Sequence, residues 1–216
     1  MREEYQAELA EVNRLLVSMA EGVRTAMREA TEALLAADQT ACEQVITADA
    51  ETDALYRQVE DKVYDLLARQ APVASDLRLV VTALHIAADL ERMGDLATHV
   101  AETALRRAPA IAVPEELRPT VKDMASAADR IGEKIIHVLA TSDAETAAEL
   151  ERDDDEIDEL QKQLYGLMLG TAWRHGVEPA VDAALLARWY ERFADHAVNA
   201  GQHIFYFVTG EVAPAS

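Results

Sequence analysis

The sequence predicts an all-α protein of six long helices in two halves. Apolar residues recur at alternating steps of three and four over long segments, and prolines and turn residues separate those segments. Two acidic motifs also occur twice, in the same order, along the 216 residues. No stretch of any length alternates apolar and polar residues as a half-buried strand would. We therefore expect a helical bundle with an internal repeat.

The predicted helices follow in order from the periodic segments. They cover residues 3–36, 39–69, 74–107, 117–140, 143–175 and 179–209. Asp38 marks the start of the second helix, and Ser142 followed by Glu145 has the spacing of a capping box at the start of the fifth. The six prolines fall outside the periodic stretches. A helix of thirty residues is about 45 Å long and needs packing partners in water, which favours an antiparallel bundle.

The second half of the sequence repeats the acidic motifs of the first. The stretch DAETDAL at 49–55 matches DDEIDEL at 154–160, a shift of 105 residues. The stretch LERMGDLA at 90–97 matches YERFADHA at 190–197, a shift of 100 residues. The order of the motifs is therefore the same in both halves.

The repeat also predicts the domain organisation. The two shifts differ because the chain between the two motifs is longer in the first half than in the second. This difference in length is assigned to the connections around Pro72 and Pro179, where loop length varies readily. We expect two three-helix domains, 1–108 and 109–216, joined by a proline-rich linker. We expect the two tandem three-helix bundles to form a spectrin-like six-helix arrangement with a pseudo-two-fold internal repeat.

Acidic residues interrupt one seam of the third predicted helix. The apolar series from Leu77 through Val81 continues into Glu91 and Asp95, while the other seam of this helix is apolar throughout. We expect the helix to be packed along both seams. The same pattern recurs on the sixth helix, and the second and fifth helices carry acidic pairs at the same i, i+4 spacing. The four pairs are Asp49 and Asp53, Glu91 and Asp95, Asp154 and Asp158, and Glu191 and Asp195.

Clustered carboxylates in a bundle require compensation. Removing one carboxylate from water costs several kcal/mol, against a domain stability of about 5–15 kcal/mol. Metal cations, water at an open seam, or an arginine such as Arg188 could each supply it. Acidic pairs at this spacing are common on solvated or salt-bridged faces. Their recurrence on core-type seams in both halves makes metal binding about as well supported as a solvated or salt-bridged face.

Composition excludes several classes of protein. Forty acidic against twenty basic residues give a net charge of −20, which repels phosphate backbones, so no nucleic-acid partner is expected. The chain shows no signal-peptide pattern and no uninterrupted apolar span, which predicts a cytoplasmic protein. The lone Cys42 permits no intrachain disulfide and is interpreted as a small packing residue.

Catalytic motifs are missing from the sequence. It contains no Glu-x-x-His pair of the di-iron bundle type, no HExxH, no glycine-rich phosphate loop and no nucleophile beside a base. The run ERDDDEIDEL lacks the glycine of a calcium-binding loop, so its three consecutive aspartates are interpreted as a solvated helix face with two inward members. We expect no enzyme. A carboxylate-bridged metalloenzyme and a purely structural helical interaction protein are the alternatives.

The motifs ERMGD and ERFADHAVNAG, with the duplicated D-x-x-x-D segments, resemble the PhoU family of regulators of bacterial phosphate uptake. The resemblance covers nearly the whole chain. It implies a negative regulator of the phosphate-starvation response, an adaptor between the ATPase subunit of the phosphate ABC transporter and a membrane sensor histidine kinase. Such an adaptor is peripheral to the membrane through its partners only, with a homodimer as an alternative to the monomer.

The resemblance further implies multinuclear divalent or trivalent metal clusters on the acidic motifs. Iron is the first expectation, with magnesium, manganese and zinc as alternatives. The ligands implied for this chain are Asp49, Asp53, Glu91, Asp95, Asp154, Asp158, Glu191 and Asp195. His99 stands where the second half has Asn199, which makes an imidazole ligand conceivable in the first half only. Arg188 lies one turn before Glu191, where its charge would weaken metal binding.

Overall fold

The computed structural model describes residues 2–211, apart from the side chains of residues 2 and 75. These residues form six α-helices and no strand, so the predicted all-α fold is confirmed. The helices are α1 (Arg2–Ala36), α2 (Gln39–Gln70), α3 (Ser75–Arg107), α4 (Arg118–Thr141), α5 (Ala144–Leu169) and α6 (Val177–Thr209), with a 3₁₀ turn (Glu115–Leu117) before α4.

The helices pack as two three-helix bundles that share a central contact. α1, α2 and α3 pack against one another, α6 packs against α4 and α5, and α3 packs along α6 between the bundles. α1 also contacts α4. At the centre Tyr190 is fully buried, and its hydroxyl shares a hydrogen bond of 2.5 Å with the Thr31 hydroxyl. The core is therefore continuous from one bundle to the other.

Side-chain caps fix two of the helix starts. The Asp38 carboxylate accepts a hydrogen bond of 3.1 Å from the Ala41 amide, as predicted for α2. The predicted cap of α5 is wrong by one residue. Ser142 adopts a left-handed conformation (φ 56°) at the end of α4, and the Asp143 carboxylate caps α5 by accepting from the Glu145 and Thr146 amides. A carboxylate can accept both bonds and complements the helix dipole, so it displaces the serine from this role.

α5 ends at Leu169, six residues before its predicted end at 175. The backbone turns extended at Gly170 and adopts φ 80° at Gly176, just before α6 begins. Trp173 belongs to this loop and donates a hydrogen bond of 2.8 Å from Nε1 to the Gly176 carbonyl oxygen. The Trp173 ring is partly buried against the hydrophobic core.

The prediction that all six prolines fall outside the helical segments is wrong for Pro119 and Pro179, which lie inside the first turns of α4 and α6. Amides of the first turn have no acceptor within the helix, so a proline there removes no hydrogen bond. Pro214 lies outside the described residues.

Ion pairs join the two bundles at both the α1–α4 and the α3–α6 contacts. The Arg24 guanidinium of α1 binds the Asp129 carboxylate of α4 at 2.7 Å. At the far end of the α3–α6 contact, Arg107 Nε lies 2.5 Å from Asp182 Oδ2, and the Asp182 side chain is only 2% exposed. A charge this deeply buried needs its partner, so the pair fixes the register of the two halves. Among the described residues, no helix is long and apolar enough to cross a membrane.

Candidate metal centres on the acidic helices

The seam of α3 that runs from Leu77 to Asp95 is exposed in its first turns and becomes partly buried at Glu91 and Asp95. Leu77 and Val81 are 41% and 38% exposed, so the expectation of packing along this whole seam is wrong for its first turns. The opposite seam is buried as predicted, through Ile86, Leu90 and Met93. α3 therefore offers one packed face and one boundary face, and the carboxylates lie on the boundary.

Four carboxylates converge between α2 and α3 and form the first acidic cluster. Its members are Asp49, Asp53, Glu91 and Asp95, all of them partly buried. Burial raises the pKa of Asp49, and the neighbouring charges of Asp95 and Asp53 raise it further. The pKa of Glu91 is raised by burial first and by Asp95 next. Charges on α3 raise a carboxyl pKa on α2, and charges on α2 raise a carboxyl pKa on α3. The structure therefore brings together all four residues predicted for the first half.

Gly94 lets α2 and α3 approach at the first acidic cluster. A Cβ atom at position 94 would lie 2.9 Å from Asp49 Oδ1 and 3.3 Å from Thr52 Cγ2. The absence of a side chain therefore leaves the room that the Asp49 carboxylate occupies. Ala194 holds the equivalent position in the second half.

Arginines partly neutralise the first acidic cluster. Arg92 lies 2.7 Å from Asp95 and 3.5 Å from Glu91, and Arg57 lies 3.4 Å from Asp53. His99, the further candidate ligand, is exposed and its Nδ1 lies 3.1 Å from a Glu102 oxygen. A metal role for His99 stays a prediction.

The second acidic cluster lies between α5 and α6 and consists of Asp154, Asp158, Glu191 and Asp195. Burial, followed by the charges of Asp195, Asp158 and Glu191, raises the pKa of Asp154 to about 7. Burial and Asp195 also raise the pKa of Glu191, while Arg188 opposes the shift. Arg188 hydrogen-bonds Glu191 Oε1, which confirms the expected neutralisation at this position.

Two oxygens of the second acidic cluster lack a hydrogen-bond donor. Asp154 Oδ1 and Glu191 Oε2 are buried and receive no hydrogen bond from the described residues. Buried acceptors of this kind are uncommon and call for a bound cation or water. Of the neighbouring aspartates, Asp155 is exposed as predicted, whereas Asp153 is partly buried and binds Lys134 at 2.7 Å.

The donor set of both clusters fits a hard cation. Carboxylate oxygens are the ligands that magnesium, manganese and iron prefer, whereas zinc favours nitrogen and sulfur. Within residues 2–211, no three histidine, cysteine, aspartate or glutamate side chains are arranged to hold one ion. Holding one ion would therefore require the carboxylates to change rotamer.

Two charged contacts between α3 and α6 were not predicted from the sequence. Besides the buried Asp182, the Asp89 carboxylate of α3 lies 3.0 Å from His196 Nδ1 of α6. A signal for Asp182 was present, because it lies four residues before Leu186 on the apolar seam of α6. Asp89 has no such signal, because it lies on neither of the two seams of α3.

The fold and its paired acidic clusters define a class of internally duplicated, all-helical acidic bundles. The family model described as "PhoU domain" matches this chain twice, over residues 16–104 and 121–204. The chain therefore belongs to the PhoU family.

Named relatives match the chain along nearly its whole length. It is 41% identical over 210 residues to the phosphate-specific transport system accessory protein PhoU homolog 2 of Mycobacterium tuberculosis, covering 97% of this chain and 99% of the relative. It is 43% identical to PhoU homolog 1 of the same organism, covering 97% and 95%.

Solved structures share the fold. The structure of PhoU from Pseudomonas aeruginosa superposes with a TM-score of 0.85 at 27% identity, covering 96% of this chain and all of that one. The PhoU regulatory protein of the phosphate transport system from Streptococcus pneumoniae gives a TM-score of 0.87 over 98% of this chain and all of that one; at 24% identity this supports the fold alone.

Proposed function

We propose that this protein is an accessory protein of phosphate transport that acts as a negative regulator of the phosphate-starvation response. It links the transporter ATPase to a membrane sensor histidine kinase on the cytoplasmic side. The observation that carries the proposal is the identity of 41% and 43% to mycobacterial transport accessory proteins over 97% of the chain. Identity spread over both halves favours a shared role and not only a shared fold.

The adaptor is proposed to bind metal ions at its two acidic clusters. Asp49, Asp53, Glu91 and Asp95 would hold ions in the first half, and Asp154, Asp158, Glu191 and Asp195 in the second. Support comes from the raised pKa values and from the oxygens of Asp154 and Glu191 that lack donors. A bound cation would supply positive charge that joins facing helices and can bridge to a partner's acidic group. All-oxygen ligands favour magnesium, manganese or iron over zinc.

An apolar cleft beside the second acidic cluster suits partner docking. A cavity of about 520 Å³ lies between the end of α5 and the start of α6, with Met168 and Trp173 in its wall. At its edge Leu169 is 87% exposed and Val177 is 79% exposed. Val177 and Glu191 belong to one seam of α6, so an apolar segment flanked by basic residues would match this surface.

Metal content is tested by elemental analysis of protein purified without chelator. Wild type is expected to retain metal, and the Glu91→Ala, Asp95→Ala and the Glu191→Ala, Asp195→Ala double variants are each expected to lose part of it. The control variant is Asp61→Ala, Asp65→Ala, an exposed acidic pair with the same spacing on α2. Equal metal content in all four proteins would show that the acidic clusters hold no ion.

Partner binding is tested by pull-down against the transporter ATPase and against the cytoplasmic part of the sensor kinase. Wild type is expected to retain both. The Leu169→Ser, Val177→Ser variant should weaken at least one of them, while Ile111→Ser, at another exposed apolar side chain, should retain both. If wild type binds neither partner, the adaptor role is wrong whatever the metal content.

A further inference from the structure

A cavity of about 370 Å³ opens between α3 and α6, where the two bundles meet. Its charged and titratable lining consists of Arg92, Arg188, Arg192, His99, His196 and Asp95. Three guanidinium groups therefore face one carboxylate, although the whole chain carries a net charge of −20. A local concentration of arginine in so acidic a protein is unexpected and favours a negatively charged ligand.

The cavity is built by both halves of the repeat. Arg92 and Arg192 are equivalent residues under the shift of 100, and both line it. α3 and α6 cross with opposite directions there, because the His99 ring lies 5.4 Å from Trp189 while Asp89 binds His196. Equivalent arginines therefore meet near the pseudo-two-fold axis, and neither half alone would form the cavity.

Carboxylates orient three of the basic side chains in the cavity wall. Arg92 is bound by Asp95 at 2.7 Å, and Arg188 is bound by Glu191. Each guanidinium carries five N–H donors, so these contacts leave several unused. Arg192 makes no ion pair with any described residue. His196 is oriented through Nδ1 by Asp89, which leaves Nε2 for another partner.

We propose that this cavity binds a phosphate-type oxyanion. The planar guanidinium groups of Arg92, Arg188 and Arg192 match the paired oxygens of such an ion and donate charge-assisted hydrogen bonds to it. Asp95 supplies an acceptor for the P–OH group that monohydrogen phosphate carries near neutral pH. Sulfate has no such hydrogen, so the same carboxylate repels it.

The size of the cavity allows two sources of the ion. Its volume lies at the lower end of the range for small-molecule sites, which is roughly 300–1,000 Å³. A free orthophosphate fits with water around it, and linked phosphate groups of a larger molecule fit as well. The proposal requires neither bound metal nor a protein partner, so it stands apart from the adaptor role.

The test is a titration of the full chain, stripped of metal, in a buffer without phosphate. The chain has two tryptophans, and in a Trp173→Phe background Trp189 in the cavity wall is the only one left. Its fluorescence should respond saturably to inorganic phosphate or to pyrophosphate, with sulfate weaker. Isothermal titration calorimetry of the wild type provides a second readout that does not depend on the tryptophan.

Substitution of Arg192, the arginine of the cavity that makes no ion pair, distinguishes a specific anion site from non-specific attraction of anions to positive charge. Arg192→Gln should weaken binding about tenfold or more, the effect of losing a charge-assisted hydrogen bond. Arg69→Gln removes the same charge from an exposed arginine on α2 that binds Asp65, and should leave binding unchanged. Circular dichroism of both variants checks that the fold is kept.

The outcomes separate clearly. Orthophosphate binding supports a site for the free ion, and binding of pyrophosphate alone supports a site for linked phosphate groups. Absence of saturable binding of both ions in the millimolar range would overturn the proposal. So would equal weakening by Arg192→Gln and Arg69→Gln, or sulfate binding as tightly as phosphate. Failure of the pull-down experiments has no bearing on these results.

Discussion

The two acidic clusters carry the same motif but compensate its charge differently. In the first, arginines contact three of the four carboxylates, at distances from 2.7 to 3.5 Å. In the second, Arg188 contacts Glu191 alone, and the pKa of Asp154 is raised to about 7. Repetition of the sequence motif has therefore preserved the carboxylates without preserving their electrostatic environment.

This difference shows that the residues around an acidic motif determine how strongly its carboxylates gain from a bound cation. Carboxylates bound by arginine are stable without a cation, and an incoming ion must compete with the guanidinium groups. Carboxylates that repel one another and lack donors gain more from the same ion. We therefore expect the second cluster to respond more strongly to cations, with Arg188 competing for Glu191.

The largest expected effect is stabilisation by a divalent cation. At 100 times its dissociation constant, an ion that binds only the folded protein adds about 2.7 kcal/mol, which raises the Tm of a chain of this size by roughly 5–10 °C. Asp154→Asn, Glu191→Gln should remove more of this rise than Asp49→Asn, Glu91→Gln. The measurement is differential scanning fluorimetry with manganese or magnesium, compared with sodium chloride at equal ionic strength.

Asp61→Asn, Asp65→Asn on the exposed face of α2 is the matched control for this comparison. It should keep the full rise in Tm. Equal losses in the two cluster variants would show that the clusters bind cations alike despite their different arginine contacts.

The next largest effect is a gain in stability when Asp154 loses its charge in the metal-free protein. Asp154→Asn should raise the free energy of unfolding at pH 8 by about 2 kcal/mol, less than the full pKa shift implies because the cluster is partly open to water. Asp49→Asn should give a smaller gain, since arginines already compensate its cluster. Urea unfolding in the presence of a chelator measures both, and a loss of stability in Asp154→Asn would contradict the repulsion inferred here.

The same residue predicts a pH dependence. The pKa of Asp154 is about 7 in the folded protein and about 4 in an unfolded chain, so the folded state binds the proton more tightly. Its contribution therefore favours folding at low pH and declines as pH rises from about 4 to about 7, then levels. The difference in unfolding free energy between Asp154→Asn and wild type should grow between pH 5 and pH 8. A difference that stays constant over this range would mean that Asp154 ionises normally.

A smaller effect is expected from the arginines themselves. Arg188→Gln and Arg92→Gln should each lower the stability of the metal-free protein by about 0.5–1 kcal/mol, as for other partly exposed ion pairs. Removal of Arg188 should also increase cation affinity at the second cluster, because its competitor for Glu191 is gone. Calorimetric titration with manganese checks this, with Arg14→Gln on α1 as a control arginine in an exposed pair.

The smallest change in stability is expected at Gly94. In Gly94→Ala the gain in helix propensity, about 1 kcal/mol, is offset because the new Cβ displaces the Asp49 carboxylate. Cation affinity of the first cluster should nonetheless fall. Gly22→Ala is the matched control, because a Cβ there meets no atom within 4 Å, and it should gain the full propensity without altering ion binding. Equal ion binding in both variants would show that Asp49 has room to spare.

Much of the fold could be predicted from the sequence, because hydrophobic periodicity and turn residues act locally. The helix order and the cap at Asp38 follow from such signals. The cap at Asp143 was missed since Ser142 and Asp143 are both good caps and only the backbone conformation decides between them. The predicted end of α5 lies six residues too far along, because a single glycine such as Gly170 does not by itself determine where a helix stops.

The candidate site was predictable in its members but not in its surroundings. The spacing of Glu91 and Asp95 places them on one face of a helix, and the repeat points to the same face in the second half. The arginine cavity depends on how α3 crosses α6, which no local pattern encodes. Its equivalent residues Arg92 and Arg192 are visible in the repeat, but their meeting point follows only from the packing of the bundles.

The buried pair of Arg107 and Asp182 makes the two halves complementary and not interchangeable. Under the shift of 100, Phe207 stands at the position of Arg107 and Thr82 at that of Asp182. Two copies of the first half would lack the buried acid, and two copies of the second would bury an acid opposite a phenylalanine. If the chain arose by duplication of an ancestor that formed homodimers, its two halves have since diverged so that each pairs only with the other. Either half expressed alone should therefore fail to form the two-bundle structure as a homodimer.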